Sequence, residues 1–312
     1  MFLFRPRRIL IGMGFFAAVA TLAPAAGAEQ LQRLVDRAAE TALERYREKG
    51  LTPEQLAITL IDLSDPAGAR RASYRGEVPI YPASVVKLFY LTAAHRWMED
   101  GKLEDTPELR RALTDMIVDS SNDATHYVVD VLTGTTSGPE LPPAQLKEWF
   151  ERRGAVTRYF EGVGYVGINA SKKPWGDGPY GRESQAIKAY APKRNMLTTD
   201  ATARLLAEIA AGTCVTKARS AEMKVLLARD PATVSADPDE QAKFTGPALP
   251  PGAKLWSKAG WTSQTRHDAA YVELPSGEKF VLVTFTTDHA GEREIIRHVA
   301  EVVVAGMTIR GK

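Results

Sequence analysis

Cysteine and histidine are both scarce in this chain of 312 residues, and each shortage excludes a class of site. Cys214 has no second cysteine to pair with, so no internal disulfide can form and stability must come from the core. The five histidines show no spacing typical of metal ligands, so we expect no metal and no other cofactor. His95 and His126 each stand alone on a predicted helix, where a surface role or a hydrogen-bonded core role is usual.

An excess of charge of one sign is missing as well. The chain has 40 Lys and Arg residues against 38 Asp and Glu residues, and 37 against 38 once residues 1–28 are left out. A nearly neutral chain is not drawn to nucleic acid or to an acidic membrane surface. Repeats and low-complexity segments are also absent, and the hydrophobic content of 44% is that of an ordinary globular protein. We therefore expect no nucleic acid partner. We also expect a monomer.

The first 28 residues have the pattern of a secretory signal peptide. Three arginines precede an apolar run from Ile9 to Leu22, and small residues follow it up to Ala28. The apolar run is short for a membrane span, and no cysteine near Ala28 could carry a lipid. We expect cleavage after Ala28, no stable membrane insertion afterwards, and a periplasmic or secreted mature protein.

Apolar residues recur with strand patterns near both ends of the mature chain and with helical spacing in its middle. The predicted strands cover residues 56–63, 71–74, 254–258, 267–274 and 279–287. The predicted helices cover residues 31–46, 84–100, 107–118, 124–132, 143–153, 199–211, 221–228 and 293–305. This order predicts an α/β (α+β) fold with an antiparallel sheet built from both ends and flanked by helices. The sheet subdomain would be 29–83 plus 213–312, with an all-helical subdomain of residues 84–212 inserted.

The stretch Tyr81–Lys87 is the first candidate for chemistry. Pro82 and Ser84 are helix-start signals, and an apolar helical pattern follows them. A helix that begins at or just before Ser84 places Lys87 on the same face, within reach of the hydroxyl. The N-terminus of a helix also favours the oxyanion that forms during acyl transfer. Short Ser-x-x-Lys strings occur by chance, as at Ser276 to Lys279, so further residues must support this hypothesis.

Three more polar residues could complete a site for acyl transfer. Such a reaction needs a base, a proton route to the leaving nitrogen, a polar group for the substrate amide and a cation for its carboxylate. Ser120 and Asn122 lie in a turn after a predicted helix, and Lys258 lies on a predicted strand before a hairpin. They could supply the proton route, the polar group and the cation.

In this order of motifs the sequence resembles the class A serine β-lactamases and their penicillin-binding relatives, whose signatures are Ser-x-x-Lys, Ser-Asp-Asn and Lys-Thr-Gly. The resemblance covers nearly the whole mature chain. It implies that Ser84 is the nucleophile, Lys87 its base and Ser120 the proton shuttle. It also implies substrate-binding roles for five residues. These are Asn122 for the amide, Lys258 for the carboxylate, and Gly260, Trp261 and Thr262 beside them, with the Ser84 and Trp261 backbone N–H groups as the oxyanion hole.

Two signatures depart from the family pattern. Ser120-Ser121-Asn122 replaces Ser-Asp-Asn and keeps the two side chains that carry chemistry. Lys258-Ala259-Gly260 replaces Lys-Thr-Gly and lacks a hydroxyl that would help to bind a carboxylate, unless Thr262 or Ser263 supplies it. We therefore expect an Ala259→Thr change to strengthen the binding of carboxylate-bearing β-lactams.

The family's deacylating glutamate has no obvious counterpart, because the string Glu-x-x-Leu-Asn does not occur. Counting from Val156-Thr157-Arg158 points to Glu161, and counting back from Thr198-Thr199 points to Glu183. Both candidates border or lie in a long segment rich in Gly, Lys and Pro, and a loop of that length is usually functional or disordered. We favour Glu183 as the catalytic base for deacylation and expect deacylation to be slow.

Three functions follow from this resemblance. The first is an exported class A type serine hydrolase that opens β-lactam rings through an acyl-enzyme, and so confers antibiotic resistance or degrades β-lactams. The second is a D,D-peptidase-like enzyme that acts on peptidoglycan stem peptides, and the third is a non-catalytic sensor of penicillin or muropeptides. The missing loop motif favours the second and third, whereas the overall layout and length favour the first.

Overall fold

The computed structural model describes residues 23–65 and 68–310, and in these ranges an antiparallel sheet forms the centre of the molecule. Its six strands follow the order β2-β1-β6-β5-β4-β3. They are β1 (Leu56–Asp62), β2 (Arg70–Tyr74), β3 (Ala228–Arg229), β4 (Lys254–Trp261), β5 (Thr265–Glu273) and β6 (Lys279–Thr287). The two ends of the chain meet where β1 pairs with β6, for example Leu60 with Leu282. The predicted mixed fold with an antiparallel sheet from both ends is confirmed.

Helices cover both faces of this sheet. They are α1 (Ala23–Arg45), α2 (Lys87–Glu99), α3 (Pro107–Ile117), α4 (Asn122–Thr133), α5 (Pro143–Arg153), α6 (Ala155–Gly162), α7 (Gly181–Ala189), α8 (Thr199–Ala211), α9 (Lys217–Leu227) and α10 (Glu294–Arg310). Most bounds lie close to the predicted ones, but α1 begins at Ala23, within the predicted signal peptide, α9 begins four residues early, and α6 and α7 were not predicted. No helix in the described ranges is both long enough and apolar enough to cross a membrane. Residues 1–22 of the predicted signal peptide lie outside the described residues.

Strand β1 shows why the sheet needs helices on both faces. Its alternate residues Leu56, Ile58 and Leu60 belong to the apolar cluster that α1 and α10 form with one face. Ala57 and Ile61 point the other way, into the larger cluster that contains α2 and α8. Successive side chains of a strand face opposite sides of the sheet, so a strand covered on both sides is apolar throughout. The second face therefore fixes α2, which carries Lys87, against the sheet.

The subdomain boundaries proposed from the sequence stay a prediction. The strands of the described chain fall within residues 56–74 and 228–287, and α2 to α9 lie between these two groups. Helix α8 also contacts β1, β5 and β6 directly. The inserted helices thus share one continuous core with the sheet rather than forming a separate body.

Candidate active site

Ser84 lies on a short 3₁₀ turn, Ala83–Val86, that runs directly into α2. The predicted helix therefore starts where the sequence indicates, but its first turn is 3₁₀ and regular α-helix begins at Lys87. Ala83 has φ +46°, a conformation that residues other than glycine rarely adopt. Ser84 is half-buried and Lys87 is fully buried. The turn thus carries the candidate nucleophile three residues before a buried amine, whose hydrogen bonds among the described residues go to Ser120 and Asn122.

Strand β4 passes very close to this turn, and Gly260 is the residue that permits it. A Cβ atom at this position would lie 2.8 Å from both Pro82 O and Ser84 N. Contacts that short do not occur between real side chains and backbone, so only glycine fits. The approach brings the backbone of the next residue, Trp261, beside the Ser84 turn. The predicted oxyanion hole, formed by the N–H groups of Ser84 and Trp261, requires this neighbourhood.

The amine of Lys87 is held by the turn that contains Ser120. Lys87 Nζ lies 2.5 Å from Ser120 O, 2.9 Å from Asn122 Oδ1 and 3.2 Å from Ser120 Oγ. Burial lowers the pKa of Lys87 from its usual 10.5 to about 7. A neutral amine has two N–H donors and one lone pair, and the two carbonyl-type oxygens can only accept. The lone pair is therefore left for a hydroxyl, which is what a general base needs.

The Ser120 hydroxyl joins this amine to the second candidate lysine. Lys258 Nζ donates to Ser120 Oγ at 3.0 Å, so one oxygen lies against both amines. Ser120 has φ +56°, the unusual backbone conformation that turns its hydroxyl and carbonyl towards the lysines. Burial, together with the positive charge of Lys87, lowers the pKa of Lys258 well below its usual value. The structure thus brings together the three residues predicted to move protons or bind the carboxylate.

A glutamine that the sequence did not single out also holds Lys258. Gln241 lies on a 3₁₀ turn, Gln241–Lys243, and its Oε1 accepts from Lys258 Nζ at 2.7 Å and from Ala259 N at 3.2 Å. Its amide nitrogen donates to Ile117 O and Val118 O at the end of α3. Gln241 therefore connects β4 to the segment that leads into Ser120. No local motif marks it, because its role depends on contacts with residues more than a hundred positions earlier.

We expect Gln241→Leu to slow the reaction of the protein with a fluorescent penicillin about tenfold, because a hydrogen bond to a charged group contributes about 1.5–3 kcal/mol. The second-order labelling rate measures this effect. Gln30→Leu, on the exposed side of α1, is the matched control and should label at the parental rate. An unchanged rate in Gln241→Leu would mean that Lys258 keeps its position without the amide.

Asn122 and Thr262 are both exposed, as substrate-binding side chains must be. Asn122 opens α4, and its Oδ1 contacts Lys87 while its amide nitrogen remains for a substrate carbonyl. Thr262 Oγ1 accepts from Gln264 N at 3.1 Å and from Thr265 N at 3.2 Å in the β4–β5 turn. With these two bonds accepted, its proton points to Thr265 Oγ1 at 3.2 Å, so an anionic ligand would take this proton in exchange for that contact.

The interpretation of Ala259 was wrong, because its side chain lies on the opposite face of β4 from Lys258. Ala259 is fully buried in a small cluster with Phe244 and Ile296, and Trp261 packs against the same cluster. A threonine at this position would place its hydroxyl among these apolar side chains and not in the site. The alternation of side chains along a strand produces this difference.

We therefore expect Ala259→Thr to lower the free energy of unfolding by about 1–3 kcal/mol, the cost of a buried hydroxyl without a partner. Binding of carboxylate-bearing β-lactams should not improve. Denaturant unfolding and labelling kinetics measure the two effects, and Ala259→Val separates the effect of added volume from that of the hydroxyl. Faster labelling of the threonine variant would restore the original interpretation.

Among the described residues, Glu183 makes no hydrogen bond or ion pair with Ser84 or Lys87. It is 3% exposed on α7, and its Oε1 accepts from Arg153 at 2.7 Å and from Ser137 Oγ at 3.0 Å. Lys173 Nζ lies 3.7 Å from the same oxygen and 2.7 Å from Asp130 Oδ2. These two cations and two carboxylates form a nearly neutral buried cluster, which we call the Arg153 cluster (Asp130, Arg153, Lys173 and Glu183).

The described residues therefore include no carboxylate that hydrogen-bonds or forms an ion pair with Lys87. Glu161, the other candidate, is exposed at the end of α6. The contacts favour a structural role for Glu183, which ties the long loop to α4 and α5. The preference for Glu183 as the deacylating base is not supported by these contacts.

The sequence predicts no metal site, and the positions of the possible ligand side chains can be compared with that prediction. The described residues contain no group of three or more His, Cys, Asp or Glu side chains placed to hold an ion. His126 is half-buried, contacts Pro174 O at 2.5 Å and packs on the ring of Trp175. It thus has one of the two roles that the sequence predicts, a hydrogen-bonded one.

Comparisons with solved structures identify proteins of the same fold. A β-lactamase from Sphaerobacter thermophilus DSM 20745 matches with a TM-score of 0.63 and 17% identity over 88% of this chain and 98% of that one. PBP-A matches with a TM-score of 0.62 and 16% identity over 89% of this chain and 97% of that one. An ancestral class A β-lactamase (GNCA) matches with a TM-score of 0.60 and 18% identity over 86% and 99%. A comparison with curated protein sequences gives no match.

A protein-family model also matches the amino-acid sequence of this chain. The model described as the beta-lactamase enzyme family matches residues 103–307, which is more than half of the chain. This range contains Ser120, Asn122 and Lys258, and it begins after Ser84 and Lys87. The order of motifs, the fold and the family match agree with one another. The chain belongs to the beta-lactamase enzyme family, and its fold is that of class A β-lactamases and PBP-A.

Proposed function

We propose that this chain is an exported serine hydrolase that opens β-lactam rings through a covalent acyl-enzyme at Ser84. The observation that carries the proposal is the fully buried Lys87 amine, which lies against Ser120 and has a pKa of about 7. An amine that is partly neutral at neutral pH can accept a proton from a serine hydroxyl. The family and the fold, which imply a serine hydrolase, support the assignment.

The proposed acylation moves one proton from Ser84 to the leaving nitrogen by way of Lys87 and Ser120. Ser84 Oγ attacks the β-lactam carbonyl carbon while Lys87 takes its proton, and the oxyanion forms near the backbone N–H groups of Ser84 and Trp261. The C–N bond then breaks, and Ser120 gives its proton to the leaving nitrogen. Lys87 restores the Ser120 proton across their 3.2 Å contact. Water later hydrolyses the ester and releases Ser84.

Deacylation is the step for which the described residues supply no evident catalytic base. A water molecule needs a base, and no carboxylate of the described chain contacts Lys87. This observation favours a second candidate, a D,D-peptidase-like enzyme that acylates quickly on peptidoglycan stem peptides but releases β-lactams slowly. A variant of PBP-A, a protein of similar fold, is described as an acyl-enzyme complex with penicillin G. A non-catalytic sensor of penicillin or muropeptides would share the same acylation.

One experiment separates these proposals. The mature protein is mixed with a chromogenic cephalosporin, and absorbance and intact mass are followed together. A β-lactamase gives many turnovers, whereas a peptidase-like enzyme or a sensor gives one equivalent of product and a persistent added mass. Release of D-alanine from a stem peptide then distinguishes the peptidase from the sensor. A protein that shows no turnover and gains no mass would contradict the proposal as a whole.

The remaining parts of the proposal concern the cell. Export through the signal peptide would place a monomeric protein in the periplasm or outside the cell, where β-lactams and peptidoglycan are found. Expression of the full chain in a susceptible bacterium should then raise β-lactam tolerance if turnover is fast. Mass analysis of the exported protein tests cleavage after Ala28.

We expect the labelling rate to rise with pH and to level off above about pH 7, the value to which burial lowers the Lys87 pKa. The sign follows because only the neutral amine can take the Ser84 proton, and this form predominates above that pKa. The second-order rate of acylation measured from pH 5 to pH 9 checks it, with unfolding monitored at each pH. A rate that stays flat across this range would exclude Lys87 as the titrating base.

A further inference from the structure

A cavity of about 200 Å³ lies among α2, α3 and α9, away from the candidate active site. Met98 of α2, Leu113 of α3 and Leu226 of α9 line it with apolar side chains. His95 lines it as well, eight residues after Lys87 and therefore about 12 Å further along the same helix. No part of the proposed acyl-transfer mechanism uses this cavity.

The imidazole of His95 is the unusual feature of this cavity. His95 is 3% exposed, and within the described chain neither Nδ1 nor Nε2 has a hydrogen-bond partner. Glu222 Oε2 is 3.7 Å from Nδ1, which is beyond hydrogen-bond distance. Buried polar groups are nearly always paired, so a buried ring with two free nitrogens needs an explanation. The sequence predicts a surface role or a hydrogen-bonded core role here. The ring is buried, and no protein group among the described residues supplies the hydrogen bond.

The charges around the cavity indicate what could fill it. Burial, with the positive charges of Arg219 and Arg110, lowers the pKa of His95 to about 4, so the ring is neutral at pH 7. A neutral imidazole offers one donor and one acceptor. Arg110 and Glu222, which also line the cavity and are partly exposed, carry opposite charges and give no net preference for an ion.

We propose that this cavity is a second binding site, which takes a small neutral molecule with an apolar body and one hydroxyl group. The hydroxyl both donates and accepts, so it pairs with a nitrogen of His95. The apolar body packs against Met98, Leu113 and Leu226. Such a ligand pairs with one of the two ring nitrogens and covers the apolar walls, whereas a charged ligand would lose its hydration without gaining an unpaired counter-ion.

Phenol is the probe for this site, and toluene is the matched probe that lacks the hydroxyl. Titration of the mature protein is followed by the ring proton resonances of its five histidines. We expect phenol to shift the His95 resonances with saturation while those of His126, His267, His289 and His298 stay within experimental error. Toluene should bind at least tenfold more weakly than phenol.

Two variants make the test specific. His95→Phe keeps an aromatic ring but removes both nitrogens, so phenol affinity should fall at least tenfold and toluene affinity should change little. Leu226→Trp keeps the imidazole and fills the cavity from a partly exposed position, so both probes should lose saturable binding. If His95→Phe does not fold, Leu226→Trp still tests whether the two probes bind in this cavity. Equal affinities of phenol and toluene, or shifts at the other histidines instead of His95, would overturn the proposal.

Discussion

Replacing Ser84 by alanine is expected to abolish covalent labelling of the protein by a fluorescent penicillin. The substitution removes only the hydroxyl group, and this group is the proposed nucleophile. The turn should survive, because the cap position before Ala83–Val86 is Pro82 and not Ser84. The free energy of unfolding should therefore fall by less than about 1 kcal/mol, the usual effect of losing a capping hydroxyl. Gel fluorescence and intact mass after penicillin treatment measure the loss.

The chain supplies a matched control for this variant. Ser276 and Lys279 repeat the same Ser-x-x-Lys spacing, but they lie around the turn between β5 and β6. Ser276→Ala should label like the parent protein. Labelling that persists in Ser84→Ala, or that disappears in Ser276→Ala, would remove Ser84 from the mechanism.

The second large effect is expected from Glu183→Ala, which should lower the free energy of unfolding by about 3–5 kcal/mol. The substitution removes the carboxylate that lies 2.7 Å from Arg153, which is 1% exposed. Asp130 then faces both Arg153, at 3.2 Å, and Lys173, at 2.7 Å, so one of these two buried cations loses its counter-ion. An uncompensated buried charge is costly, whereas removing both charges is often nearly neutral. Denaturant unfolding should therefore show that Arg153→Met together with Glu183→Ala recovers much of the loss.

Acyl-enzyme lifetime, measured on matched variants, separates this structural role from the catalytic one. Glu161→Gln, on the exposed end of α6, should change neither stability nor lifetime by a measurable amount. Glu183→Gln keeps a hydrogen-bond acceptor for Arg153 and should leave the acylation burst intact. A longer acyl-enzyme lifetime in Glu183→Gln at unchanged stability would return to Glu183 the deacylating role that the sequence suggested.

The sequence predicted well what depends on local pattern. Helical spacing located α3, α5 and α8 almost to the residue, and alternation located β6. The three short motifs predicted Ser84, Lys87, Ser120, Asn122 and Lys258, and the structure joins Lys87, Ser120, Asn122 and Lys258 through direct contacts. Residues three apart on a helix, or at the two ends of one turn, have positions that sequence spacing nearly determines.

Features that depend on distant contacts were not predictable in this way. Helix α7 lies in a segment whose glycines and prolines suggest a loop, and it is held by the pairing of Glu183 with Arg153 on α5. Gln241 carries no motif, since its partners are backbone groups near Ile117. Ala259 was misinterpreted because a family triplet fixes the residue type but not the face of the strand.

The single hydroxyl shared by Lys87 and Lys258 makes the two amines one proton-binding unit. Each contacts Ser120 Oγ, and the positive charge of Lys87 disfavours a second charge on Lys258. Protons then bind to the pair in steps that belong to neither lysine alone. An anionic substrate that enters beside Lys258 stabilises the charged forms, so its arrival draws a proton from solvent into the site. Binding of such a substrate should therefore tighten as pH falls, while the chemical step that follows slows down.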